Sequence, residues 1–190
     1  MGGRGMNRVP GIYAVSGGGM EELERVLRLL LAGTRLPALG RLSSGAGFLE
    51  VRAPHALRVA EAGRRGAVEA VVGLDGQLAD CAKSRRAGAA VLAARAGARH
   101  LPVLRRFGEA VREGKAPGHW VTVMALHAVE FSVGMLPLLQ GLLYAEWRQS
   151  DCGGGGLEAF LRESAGSLSA LPALLRPDDH ESRGDIPIRG

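Results

Sequence analysis

Apolar residues recur along this 190-residue chain at helical spacing, with breaks rich in Gly, Pro and Ser between the runs. Leu23, Val26, Leu27 and Leu30 fall at i, i+3, i+4 and i+7, which is one face of a helix. Glu21, Glu22 and Glu24 lie in its first turn, where the helix dipole favours acids. From Ala32 to Pro54 the pattern is interrupted and predicts a loop. Helix resumes over Leu57–Val72, weakened by Gly63 and Gly66. A third segment spans Leu74 to Ala96, and Leu104, Phe107 and Val111 mark one face of a fourth.

Lys115-Ala-Pro-Gly118 is a break, because Pro removes a donor and Gly frees the backbone. Beyond it lies the most apolar tract, Gly118–Trp147, which predicts two helices, Trp120–Val133 and Leu136–Arg148, joined at Gly134. Pro137 falls in the first turn of the second, where the early amides have no helical partner to lose. A transmembrane span needs about 20 predominantly apolar residues, and Val121–Tyr144 is nominally long enough. Gly134 and Pro137 divide it, however, and Glu130 and His127 would lie near the bilayer centre. An acid there costs about 2.5–3.5 kcal/mol on insertion scales. The tract therefore predicts a buried helical hairpin rather than a span.

CGGGG at 152–156 is a further break, followed by short helices at Leu157–Glu163 and Ser167–Leu175. The expectation is an all-α chain with one helical bundle over 20–175. It is flanked by a Gly-rich flexible segment at 1–19, with at most a short strand at Gly11–Val15, and by a polar, disordered tail at 176–190. Composition agrees: aromatics are only 4%, so the core must come from Leu, Val and Ala, which suit helices better than a β-sandwich.

The formal charge is +5 and comes almost wholly from Arg, since Lys83 and Lys115 are the only lysines. Neighbouring acids accompany the arginines in EELERVLR and RRFGEAVRE, and no RNP-like or zinc-finger pattern appears, so nucleic acid is not the expected partner. Cys81 and Cys152 form no CxxC pair, which fits a reduced, cytoplasmic protein.

Catalytic and metal signals are thin. His127 and Glu130 share a helical face and could contribute two ligands, but two do not make a site and no HExxH is present. IYAVSGGGMEELERVL has the strand–loop–helix order of a phosphate cradle without the GK[ST] of a P-loop. There is no GxSxG, and neither cysteine has a His within its own motif. These absences predict no catalytic residue, no cofactor and no metal ligand, and a binding protein rather than an enzyme.

Over roughly 74–148 the chain resembles a known family. SRRAGAAVL at Ser84–Leu92 is similar to the Arg- and Ser-containing helix of the urease accessory protein F family. GHW at Gly118–Trp120 matches that family's Gly-His-aromatic lead into a buried helix, and LLY, ending at Tyr144, matches its Tyr-bearing close. LSSGAGFLE at Leu42–Glu50 only echoes the family's early signature, and QSDCGGGG stands where a further signature is expected. The resemblance implies an all-α, non-enzymatic, cytoplasmic adaptor that dimerises. Its partners would be the D/H-type accessory protein, the nickel-carrying GTPase G, and apo-urease, into which the assembly inserts nickel. It also implies motif roles: Arg85 toward a partner, His119 at the start of the buried helix, and Tyr144 with its ring in the core and its hydroxyl at a rim.

Overall fold

A computed structural model describes residues 47–96, 100–149 and 157–175. The described residues are all-α. A π-helical turn, Phe48–Arg52, runs into α1 (Ala53–Arg64), followed by α2 (Val68–Asp75), α3 (Ala82–Arg95) and α4 (Pro102–Arg112). Next come α5 (Trp120–Glu130), α6 (Met135–Gln149), α7 (Leu157–Glu163) and α8 (Ala165–Ala170), and a 3-10 turn at Leu171–Leu175 closes the described chain.

Helix α5 is the axis. Every residue from Trp120 to Ala128 is buried, so it is apolar on all sides because neighbours surround it. It packs most extensively on α1 and α3, and also touches α4 and α6, while α2 bridges α1 and α4. Helices α7 and α8 and the 3-10 turn form a second layer against α6, where the ring of Phe160 meets Tyr144 edge-on at 4.9 Å and Trp147 at 5.5 Å. Among the described residues no helix is long and apolar enough to cross a membrane. The expected hairpin, α5 and α6, packs inward: α5 is buried from Trp120 to Ala128, and α6 buries Leu138, Leu139, Leu142 and Leu143.

Three helices end in one device. At α1 the N–H of Ala67 donates to Ala62 and that of Gly66 to Gly63; at α4 Lys115 donates to Ala110 and Gly114 to Val111. At α5 Val133 donates to Ala128 and Ser132 to Val129. This is the Schellman pattern, whose pivot residue adopts positive φ. Gly66 (φ 68°) and Gly114 (φ 74°) suit it; Ser132 (φ 53°) adopts the same conformation against its Cβ.

Several boundaries differ from the sequence pattern. Of the loop predicted from Ala32 to Pro54, the part before residue 47 lies outside the described residues and the rest is helical from Phe48 onward. The chain ahead of Pro54 takes a wider π-helical turn, in which Ala53 N–H donates to Phe48 O, and this carries it into the first turn of α1. The helix expected over Leu57–Val72 is split at Gly66, and the one expected over Leu74–Ala96 is split between Asp75 and Ala82. The expected strand at Gly11–Val15, the helix around Leu23–Leu30, the flexible segment 1–19 and the tail 176–190 lie outside the described residues.

Candidate functional site: the entrance to the central helix

A helix that starts inside a protein carries backbone N–H groups with no intrahelical acceptor. Around the start of α5 these donors are met from far away in sequence. The carboxyl of Asp75, the last residue of α2, accepts from Gly118 N–H at 2.6 Å and from His119 N–H at 3.1 Å. Ser84 Oγ in α3 accepts from Trp120 N–H at 3.1 Å. Asp75 is completely buried, a position tolerable for an acid only because amides and a helix N-terminus face it.

Contact at this point is as close as backbone allows. A Cβ on Gly88 of α3 would lie 2.1 Å from the Gly118 carbonyl oxygen, so only glycine fits. Gly118 itself adopts φ 76°, and a Cβ there would press on the Val111 side chain of α4 at 2.9 Å. Two glycines and two polar side chains thus lock α2, α3 and α4 around one junction.

His119 is buried, and its Nε2 has no hydrogen-bond partner among the described residues. Burial pushes its pKa below the ordinary imidazole value, with Asp75 and Asp80 opposing. It borders a hollow of about 520 Å³ with Asp80 and Arg85, which pair with each other at 3.1 Å. His119 occupies the N-cap position but makes no side-chain capping bond; its backbone, held by Asp75, sets the start of the helix. Arg85 is 46% exposed, so its guanidinium stays open to solvent beside Asp80. Tyr144, half-buried against Phe160, lies in the other layer. The structure therefore brings Arg85 and His119 to one hollow and leaves Tyr144 apart.

The His127–Glu130 pair separates. Glu130 Oε1 accepts from Val103 N–H at 2.7 Å and Leu104 N–H at 3.2 Å, capping the start of α4. His127 is fully buried, edge-on to Phe131 at 4.7 Å, and neither ring nitrogen has a hydrogen-bond partner among the described residues. Burial first, and then the charge of Arg95, push its pKa down to about 4. His55, also buried, reaches Thr122 of α5 at 2.8 Å, and burial lowers its pKa to about 4 despite Asp75. The described residues contain no group of three His, Cys, Asp or Glu able to hold a metal ion.

Asp75, Ser84, Gly88 and His55 were not legible as functional positions. The one available signal was an acid ending the otherwise apolar run AVVGLD. Chemically the junction is a scaffold: its polar groups face inward and bind backbone. No family model, curated protein or solved structure matches the chain.

Proposed function

We propose that this protein is a urease accessory adaptor without catalytic activity. It binds the D/H-type accessory protein and the GTPase G as a homodimer in the cytoplasm and assists GTP-dependent insertion of nickel, the cargo of the assembly, into apo-urease. One observation carries this reading. The two stretches that bear the family resemblance, SRRAGAAVL and GHW, lie far apart in sequence and seat directly on each other, through Ser84 to Trp120 and through Gly88 to Gly118. That seating gives their Ser and Gly positions a shared physical purpose. A rigid, inward-bonded bundle also suits a protein that acts by offering a fixed outer surface, since an adaptor can shift a GTPase between states only by binding one more tightly than the other.

The test is genetic and biochemical. Deleting the gene should abolish urease activity while urease polypeptide persists, and the tagged protein should retain the GTPase and the second accessory protein from native lysate. Full urease activity in the deletion strain overturns the proposal.

A further inference from the structure

Basic charge is not spread evenly over this molecule. Helices α3 and α4 together carry seven basic residues, Lys83, Arg85, Arg86, Arg95, Arg105, Arg106 and Arg112, against the single acid Glu109. That excess of six exceeds the +5 of the entire chain, so the remaining residues together are near neutral. Some of it is answered locally, with Asp80 on Arg85, Glu69 on Arg106 and Glu109 on Arg105. With those pairs set aside, Lys83, Arg86 and Arg112 still leave the two helices positive.

Between the same two helices runs a groove of about 420 Å³. Its α3 wall is Ala89, Leu92, Ala93 and Ala96, at i, i+3, i+4 and i+7. On the α4 side the wall is Leu104, Gly108 and Val111, again at helical spacing. The two walls stand close at Gly108, where a Cβ would lie in van der Waals contact with Leu92 at 3.4 Å. The three alanines are exposed, and Arg95, Arg105 and Arg112 also line the groove.

We propose that this groove docks an acidic amphipathic helix of a partner protein. An apolar furrow between helices accepts a row of Leu- or Val-sized side chains at i, i+3, i+4 and i+7, and guanidinium groups beside it select Asp and Glu on the flanks of that row. Nucleic acid is the poorer occupant, because the floor is aliphatic and offers bases no aromatic surface to stack on. This assignment stands on the groove alone and does not depend on the urease reading, so either can fail without the other.

The experiment uses the full chain and a fluorescent helical peptide of about 15 residues, roughly four turns, with Leu along one face and Glu on both flanks. Anisotropy should report saturable binding that weakens as salt rises. Ala93→Glu changes an exposed residue and fills the groove with a charge; it should weaken binding at least about tenfold while circular dichroism and melting stay unchanged. The double reversal Arg105→Glu with Arg112→Glu should also lose the acidic peptide, and should gain a version carrying Lys in place of Glu. Absence of binding, or binding indifferent to these substitutions, overturns the proposal. So does dimerisation that Ala93→Glu abolishes without any peptide, which assigns the groove to a second copy. Preference for a DNA duplex over the peptide overturns it as well.

Discussion

The two ends of α5 solve the same problem in opposite ways. At the N-terminal end, Asp75 and Ser84 are brought from two other helices to meet the amides of Gly118, His119 and Trp120. At the C-terminal end the backbone closes on itself around Ser132, Glu130 turns away to cap α4, and His127 stays buried with its nitrogens unmet among the described residues. The first end depends on long-range tertiary fit, the second on local turn geometry. A junction of the first kind tolerates little, because removing one partner leaves buried donors unpaired, which costs more than the hydrogen bond itself contributes. The second should tolerate much more.

Substitutions can break or sharpen this contrast. Gly88→Ala should have the largest effect, a loss of at least about 3 kcal/mol, because the new methyl meets backbone rather than a movable side chain. Denaturant titration reads it directly, and a loss under about 1 kcal/mol would mean the junction is looser than its geometry implies. Asp75→Ala should cost about 2–4 kcal/mol by stranding two amides, with Asp75→Asn recovering part of this through its remaining carbonyl acceptor. Equal losses for the two variants would refute that assignment.

Glu130→Ala should cost about 1–2 kcal/mol, a capping effect, and hydrogen exchange at Val103 and Leu104 should quicken while the α5 core remains protected. The smallest effect at neutral pH belongs to His127→Leu, because exchanging an unpartnered polar group for an apolar one of similar volume is close to neutral. Its consequence appears in acid. The folded-state value near 4 lies below the unfolded 6.5, so the unfolded chain takes up the proton first as pH falls. Stability held above pH 6.5 is then lost progressively toward pH 4, by on the order of 3 kcal/mol for this group. The Leu variant should show a shallower acid slope in melting temperature, and a parallel slope would show that His127 is not responsible. His55, shifted in the same direction, adds to the wild-type slope and remains in the variant.

Helix class and the interior hairpin were legible because the apolar spacing in α4, α5 and α6 is dense and the breaks at Pro117-Gly118 and Gly134 are strong. Two kinds of feature were not. Pro54 looked like a breaker although it lies in the first turn of α1, because the π-helical turn ahead of it leaves no signature in the apolar spacing. The junction itself was invisible: Asp75 and Gly118 are 43 residues apart, and nothing in either neighbourhood names the other. Ser84, Gly88 and Gly118 likewise fall at positions to which apolar periodicity assigns no role. His127 and Glu130 share a helical face but serve different neighbours, because the carboxyl accepts from the open amides at the start of the adjacent helix α4.

Helix α4 is pinned twice, at its first turn by Glu130 and near its last by Val111 wedged under the Gly118 backbone. A wall tethered top and bottom cannot swing outward like a door. Whatever lodges beside it must therefore match a gauge already cut, and an ill-sized guest is refused by shape before charge has any say.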